Sequence, residues 1–180
     1  DDIVNASETD PLIISGSRID SGAMYVNIYD LKTQKVILEL GGTGTGATTW
    51  SKTLTDALAD GNYEVRLHRL SSDGAIVSKR QFEVDTAVAK PIYAVFNDAG
   101  TAISGITNDS TPTWSNKGKA PAEQGSTIEV TANGYVIGST VVDAAGNWSI
   151  PANKALPDGE YLIEVTITDK AGNTNSAATE

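Results

Sequence analysis

The chain has 180 residues, of which 39% are hydrophobic and 20% charged, and its formal net charge is −10. This length suits one large domain or two small ones, and the negative charge argues against nucleic acid and against an anionic membrane surface. No apolar run reaches the length of about 18 residues that membrane insertion needs. The lack of cysteine excludes disulfides, and a single histidine, His68, leaves little room for histidine-based catalysis or zinc.

Alternation of apolar and polar residues is the main signal along the chain, and no long stretch shows the spacing of an amphipathic helix. Apolar side chains two residues apart predict half-buried strands at residues 63–67, 127–132 and 161–168. In the first of these, Glu64 and Arg66 are expected on the wet face. Leu162 breaks the pattern of the third.

Turn signals separate these runs. Asn133-Gly134 lies between residues 127–132 and 135–142 and predicts a tight hairpin. Residues 171–173 separate the run that ends at Asp169 from residues 174–178. Short strands at this spacing, with Gly, Asn, Asp and Thr in the turns, predict an all-β fold built as an antiparallel sandwich.

The sequence repeats itself at an offset of 98 residues. Trp50-Ser51 recurs as Trp148-Ser149, and Leu-Ala-Asp-Gly-Asn-Tyr at 58–63 recurs as Leu-Pro-Asp-Gly-Glu-Tyr at 156–161. A period near 100 fits a whole sandwich domain. We therefore expect two tandem Ig-like β-sandwich domains, residues 1–87 and 88–180, with the repeated Trp and Tyr in their cores and a short linker near 85–91.

No catalytic constellation emerges from the sequence. The glycine-rich stretch 41–46 is followed by residues that favour a strand, so we interpret it as a loop and not a phosphate site. His68 lies in an alternating run and is expected to be a satisfied or solvent-facing strand histidine. We therefore expect no enzymatic activity.

Aspartates gather in the predicted loops, where oxygen ligands without His or Cys favour Ca²⁺. The simpler interpretation is that Asp is a common turn residue. In a seven-strand sandwich, alternate connections between strands lie at the same end of the domain. This predicts one cluster of aspartates at the end where the chain leaves the second copy and another where it leaves the first copy, beside the linker. A single further aspartate of the second copy is expected to face the linker. The candidate metal ligands are Asp98, Asp109 and Asp158, then Asp2, Asp10, Asp60 and Asp85, and then Asp169.

Residues 84–180 resemble the bacterial Ig-like repeats of giant surface adhesins, which Gram-negative bacteria export by type I secretion. The resemblance is carried by Val-Asp-Thr (84–86), Asn-Asp-Ala-Gly (97–100), Asn-Asp-Ser-Thr-Pro (108–112), Gln-Gly-Ser-Thr (124–127), Asp-Ala-Ala-Gly-Asn-Trp-Ser (143–149), the 156–161 motif and Thr-Asp-Lys-Ala-Gly-Asn (168–173). The first copy resembles the family mainly at Trp50-Ser51 and 58–63. By the 98-residue offset, Ser71 stands where the second copy has Asp169.

The resemblance implies tandem sandwiches joined end to end, with calcium at or near the junctions stiffening a rod. Asp85, Asp98, Asp109 and Asp169 match the acidic positions of the family, whereas Asp60 and Asp158 come from the loop argument alone. The implied setting is the bacterial cell surface. The implied partners are neighbouring Ig-like repeats of the same chain and a host-cell glycan or protein, in a role in adhesion and virulence.

Two alternatives remain open. The chain could be a glycan- or protein-binding module without metal, for which Tyr25, Tyr29, Tyr93 and Tyr135 are the candidate exposed aromatics. It could also be an accessory domain of an extracellular enzyme.

Overall fold

A computed structural model describes residues 3–4, 11–17, 23–42 and 49–179. All regular structure in these ranges is β-strand, which confirms the all-β prediction. Contacts divide the chain into two compact units, Asp1–Thr86 (unit 1) and Ala87–Glu180 (unit 2). We describe each unit by itself.

Unit 1 contains seven described strands in two sheets. They are β1 (Ile3–Val4), β2 (Ile13–Ser17), β3 (Met24–Asp30), β4 (Lys35–Gly42), β5 (Thr49–Thr53), β6 (Gly61–Arg69) and β7 (Ile76–Val84). One sheet has the order β1-β7-β6-β3-β4, and β2 pairs with β5 in the other. All pairs are antiparallel except β1–β7, which is parallel and places Val4 beside Val84.

Unit 2 contains eight strands in two sheets of four. They are β8 (Ala94–Phe96), β9 (Ala102–Ile103), β10 (Thr113–Ser115), β11 (Thr127–Ala132), β12 (Tyr135–Val141), β13 (Ser149–Pro151), β14 (Ile163–Thr168) and β15 (Thr174–Thr179). The sheet orders are β13-β10-β8-β9 and β12-β11-β14-β15, and every pair is antiparallel.

Inward-facing residues of the strands build the cores. In unit 2, Trp114 and Trp148 are 2% and 4% exposed and pack with Ile128, Val130 and the other inward residues of β11 and β14. The described part of unit 1 has two smaller clusters, one around Met24 and Trp50 and one around Ile28 and Tyr63. The expectation that the repeated Trp residues pack in the cores is therefore confirmed.

The repeated motif at 58–63 and 156–161 forms the same corner in both units. The Tyr63 hydroxyl donates to the Ala59 carbonyl at 2.8 Å, and the Tyr161 hydroxyl donates to the Pro157 carbonyl at 2.8 Å. A tyrosine that bonds back to the backbone before a long strand is a recurring feature of Ig-type sandwiches. The motif thus serves the fold, and its repetition reflects two copies of one architecture.

The hairpin predicted at Asn133-Gly134 is present between β11 and β12. Both residues have positive φ, 49° and 81°, as a two-residue turn matched to strand twist requires. The Asn133 side chain also accepts from the Leu162 backbone N–H at 2.8 Å. Leu162 lies directly before β14, which begins at Ile163, and this explains why it breaks the alternation.

One expectation about unit 1 is wrong: Glu64, placed on the wet face of its strand, is only 1% exposed. Its carboxylate accepts from Arg66 Nε at 2.7 Å and contacts Lys79 Nζ at 3.3 Å, while Arg66 stacks over the ring of Tyr29. Side chains of its own strand and of the two neighbouring strands, β3 and β7, therefore cover Glu64. The equivalent face of unit 2, with Glu164 exposed, is wet as expected.

Candidate metal centre

Three loops of unit 2 meet at the end of the sandwich where β11 begins and β14 ends. Thr127, the first residue of β11, lies opposite Thr168, the last residue of β14. The loop before β11 is bonded to the loop after β12, since the Ala122 N–H donates to the Gly146 carbonyl at 2.9 Å and the Gly125 N–H donates to Val142 at 3.0 Å. The loop 169–173 follows β14 at the same end.

Asp169 is the buried acid of this end, with 6% of its surface exposed. Its backbone N–H donates to the Asn173 carbonyl at 3.0 Å, which closes the β14–β15 turn. Its carboxylate accepts from the Asn173 backbone N–H and side-chain amide, both at 2.8 Å. These bonds hold the side chain in one orientation.

A second carboxylate lies close by. Carboxylate oxygens of Glu123 and Asp169 are within 4.8 Å of each other. Two unit charges at about this distance repel by roughly 3–4 kcal/mol at an effective dielectric constant near 20, and the exposure of Glu123 to solvent reduces that figure. A bound cation would turn this repulsion into attraction. The pair is therefore the part of unit 2 best suited to bind a divalent ion.

The chemistry of the donors restricts the choice of metal. Glu123, Asp169 and Asn173 offer oxygen atoms, and hard oxygen ligands from irregular loops suit Ca²⁺ better than Zn²⁺ or Cu²⁺. Lys170 lies in the same group of loops, where its side chain packs against Gly125, which has a φ of 84°. Its ammonium group is a cation that could compete with a metal ion for the carboxylates.

Asp143 lies at the same end but serves its own turn. Its carboxylate accepts from the backbone N–H of Ala145 at 2.9 Å and of Asn147 at 2.8 Å. The hydrogen bond from the Asn147 backbone is the main reason that the pKa of Asp143 lies below its ordinary value. This arrangement is an Asx turn, which needs no ion.

Asp98, Asp109 and Asp158 share the opposite end of unit 2, where the Leu156 N–H donates to the Ser110 carbonyl at 2.7 Å. The Asp109 carboxylate accepts hydrogen bonds from three neutral donors, which are the Asp98 N–H at 3.1 Å, the Thr111 N–H at 2.9 Å and the Thr111 hydroxyl at 3.3 Å. Within the described ranges, these three aspartates do not form a group whose carboxylate oxygens all lie within 4.8 Å.

The candidates of unit 1 fall into two sets. Asp2 and Asp10 lie outside the described residues. Asp60 accepts from the backbone N–H and the hydroxyl of Thr86, at 3.0 and 2.7 Å. Asp85 follows β7, and its N–H donates to the Val4 carbonyl at 3.0 Å.

The residue of unit 1 that corresponds to Asp169 is Arg69, and the equivalence with Ser71 drawn from the 98-residue offset is wrong. The Arg69 N–H donates to Ala75 at 3.0 Å and closes the β6–β7 turn, as the Asp169 N–H closes the β14–β15 turn. The turn of unit 1 is two residues longer than that of unit 2, so a fixed offset fails across it.

Glu123 was not among the residues singled out in the sequence. The predicted ligands were aspartates in loops, whereas most glutamates alternate along strands. The available signal was its position two residues before Gly125, in a loop that leads directly into a strand.

The four candidate aromatics occupy different settings. Tyr25 and Tyr29 are half-buried on one face of β3, opposite His68 and Glu64 of β6. Tyr93 is half-buried against the core of unit 2. Tyr135 is 81% exposed at the start of β12, next to Val136, which is 56% exposed. Only Tyr135 presents most of its ring to solvent among the four.

The described ranges contain no helix that is both long and apolar enough to cross a membrane.

Solved structures that match this chain share little sequence with it. A structure described as the BSP domain of a biofilm associated protein is 16% identical with a TM-score of 0.32, covering 99% of this chain and 27% of its own. Fibronectin(III)-like modules of Clostridium thermocellum CbhA are 18% identical with a TM-score of 0.44, over 98% and 86%. A tetra-tandem repeat from the extending region of a large adhesion protein is 22% identical with a TM-score of 0.36, over 92% and 43%.

These low scores carry no functional argument, and this chain spans only about a quarter of the biofilm-associated structure. No curated protein matches the sequence. A family model described as the bacterial Ig-like domain matches residues 87–180, which is more than half of the chain. Modules of this kind are typically non-catalytic and extracellular. The chain belongs to the bacterial Ig-like domain family.

Proposed function

We propose that this chain is a calcium-stabilised repeat segment of a bacterial surface adhesin that attaches the cell to host cells or surfaces. The observation that carries the calcium part is the pair of carboxylates in unit 2, the buried Asp169 and Glu123, within 4.8 Å of each other. The family membership of residues 87–180 supports the adhesin part. The resemblance of residues 84–180 to the Ig-like repeats of giant surface adhesins, those of the Salmonella giant adhesin among them, favours a large protein exported by type I secretion.

The energetic scale of such a site is modest. Extracellular modules bind calcium with dissociation constants of roughly 10⁻⁴–10⁻³ M, so millimolar calcium stabilises the folded state by on the order of 1 kcal/mol. For a unit of this size, that corresponds to about 4–8 °C in melting temperature. Cytosolic calcium is too low to fill such sites, so binding would follow export.

Calorimetry tests the proposal. The full chain is melted in millimolar calcium, in millimolar magnesium and in excess chelator, together with Asp169→Asn and the control Asp158→Asn. Calcium is expected to raise the melting temperature of the wild type and of the control by several degrees, and to leave Asp169→Asn unchanged. Equal melting temperatures of the wild type with calcium and with chelator would refute the calcium site.

A second function, attachment to a glycan or protein without metal, is supported by Tyr135. Its ring is 81% exposed beside Val136, and aromatic side chains that are amphipathic and rigid are common at binding surfaces. Binding of the full chain to a glycan array in the presence of chelator, lost in Tyr135→Ala, would favour this function. Binding that needs calcium would favour the first.

A further inference from the structure

The acceptor pattern for N-glycosylation, Asn followed two residues later by Ser or Thr, occurs three times in the chain. The tripeptides are Asn5-Ala6-Ser7, Asn108-Asp109-Ser110 and Asn147-Trp148-Ser149. The pattern alone is common by chance in a chain rich in these residue types. Asn5 lies outside the described residues, whereas the other two tripeptides lie within unit 2 and occupy very different settings.

The tripeptide at 147–149 is built into the fold. The side chain of Asn147 is hydrogen-bonded to Asp143, and its backbone N–H donates to the same carboxylate at 2.8 Å. Trp148 is 4% exposed, and Ser149 begins β13 opposite Ser115 of β10. A transferase that must grip both the amide and the hydroxyl would first have to undo this turn and the start of the strand.

The tripeptide at 108–110 lies in the connection between β9 and β10, where Asn108 and Ser110 are both exposed. Within the described ranges, the side-chain amide of Asn108 forms no hydrogen bond. The loop itself is fixed, because the Asp109 N–H donates to the Thr107 hydroxyl at 3.0 Å and the Leu156 N–H donates to the Ser110 carbonyl at 2.7 Å. The fold therefore presents a free amide on a held backbone.

An open cavity of about 400 Å³ lies beside Asn108, which is one of its lining residues. The lining combines apolar side chains, Ile103 and Ile106, with the polar groups of Ser104 and Thr107. Ile106 is 99% exposed. A sugar carries both C–H surface and hydroxyl groups, so a lining of mixed polarity suits it. A hexose attached to Asn108 would find room there without displacing a residue of the core.

We propose that Asn108 is an N-glycosylation site of folded unit 2, which receives a hexose from a nucleotide-activated sugar. A bond forms between Asn108 Nδ2 and C1 of the sugar, and the bond between C1 and the nucleoside diphosphate breaks. The diphosphate leaves with the bonding electron pair, and Nδ2 gives up one proton to solvent. This site is independent of the proposed calcium site, which lies at the opposite end of unit 2.

The experiment compares the two tripeptides with and without the fold. The full chain, carrying Asn5→Gln, is incubated with UDP-glucose and a soluble N-glycosyltransferase that accepts Asn-X-Ser/Thr, and mass spectrometry measures the rate at each site. Synthetic peptides covering residues 104–112 and 143–151 give the rates without the fold. Asn108 in the chain is expected to react within about threefold of its peptide. Asn147 should react at least about tenfold more slowly than its peptide, because the turn must open first.

Three variants of the full chain accompany the comparison, and circular dichroism checks that each one folds. Asn108→Gln and Ser110→Ala are expected to abolish the modification at this loop, since the first removes the amide and the second the hydroxyl. The control Asn153→Gln, at an exposed asparagine outside any acceptor pattern, should leave the rate at Asn108 unchanged.

The proposal is overturned if the 104–112 peptide is not modified, or if Asn108 reacts at least about tenfold more slowly in the chain than in that peptide. Equal rates for Asn147 in the chain and in its peptide would also contradict it, because the fold would then not select between the two tripeptides. Modification of Ser110→Ala at the wild-type rate would show that the acceptor pattern plays no part.

Discussion

Arg69 occupies in unit 1 the position that Asp169 occupies in unit 2. Arg69 is the last residue of β6 and Asp169 directly follows β14, and each closes its turn with a 3.0 Å backbone bond, to Ala75 and Asn173 respectively. A guanidinium repels a divalent cation where a carboxylate attracts it. The two copies of one fold therefore differ in charge at the position on which the proposed calcium site depends.

Calcium is thus expected to protect unit 2 and not unit 1. Hydrogen exchange followed by mass spectrometry, in millimolar calcium and in chelator, should show slower exchange in the peptides of β11 and β14 but not in those of β3 and β6. The Arg69→Ala variant is the control and should leave the pattern unchanged. Equal protection of both units would contradict the prediction.

Replacement of Asn116 by Ala is expected to destabilise unit 2 by about 2–4 kcal/mol, because buried partners would lose their hydrogen bonds. Asn116 is 3% exposed; its side chain accepts from the Trp148 N–H at 3.0 Å and donates to the Gly146 carbonyl at 2.8 Å. Urea denaturation measures the change. Asn153→Ala, at an exposed position, is the control and should stay within about 0.5 kcal/mol.

Substitution of two glycines by alanine distinguishes the stability lost through a steric clash of the new Cβ from the stability lost through backbone strain at positive φ. Gly146 and Gly134 have similar φ values, 79° and 81°. A Cβ at Gly146 would lie 2.5 Å from Cβ of Pro121 and 2.8 Å from the Ala122 carbonyl, whereas at Gly134 it would meet no atom within 4 Å. Gly134→Ala should therefore lower the free energy of unfolding of unit 2 by about 1–2 kcal/mol through strain alone. Gly146→Ala should lower it by clearly more. Equal losses in urea denaturation would show that the contact with Pro121 relaxes without cost.

Acid is expected to destabilise unit 1 through Glu64. Burial works to raise the pKa of Glu64, but hydrogen bonds from Arg66, Lys79 and Gln81 together outweigh it and hold the pKa below its ordinary value. A carboxyl whose pKa is lower in the folded than in the unfolded chain stabilises the fold above the unfolded value. That stabilisation is lost as the pH falls through the folded value.

The corresponding measurement is the stability of unit 1 between neutral pH and a pH below the ordinary Glu range. Glu64→Gln should flatten the decline in this acid window, while lowering stability at neutral pH because Arg66 loses an ionic partner. The control Glu164→Gln removes the same charge at the exposed position of unit 2. An unchanged acid decline in Glu64→Gln would refute the role of Glu64.

Periodicity and turn chemistry predicted most of the strands, because both act locally. The bounds expected for β11 agree with the structure, and those for the hairpin at Asn133 and for β15 differ by one residue. Local pattern could not place Glu64, since its burial depends on Arg66 and Tyr29, which reach it from its own and a neighbouring strand. The alternation marks a face, but neighbouring side chains decide whether water reaches it.

The candidate site was predicted only in part, for a similar reason. Asp169 followed from its motif, but its neighbour Glu123 lies about half the length of unit 2 before it in the sequence, and no spacing links the two. The same limit applies to Asp60, because the sequence does not reveal that a threonine 26 residues later uses its carboxylate. Arg69 was missed because one turn is longer than its counterpart.

The parallel pairing of β1 with β7 determines how unit 1 carries a mechanical load. A pull on its two ends draws Ile3–Val4 backward and Val84 forward along neighbouring, parallel strands. The backbone bonds between them, together with the bond from Asp85 to Val4, are then sheared simultaneously and do not open one after another. An unfolding force must break this whole set before the rest of the sheet is exposed to tension, so this two-residue strand protects unit 1 against a pull on its ends.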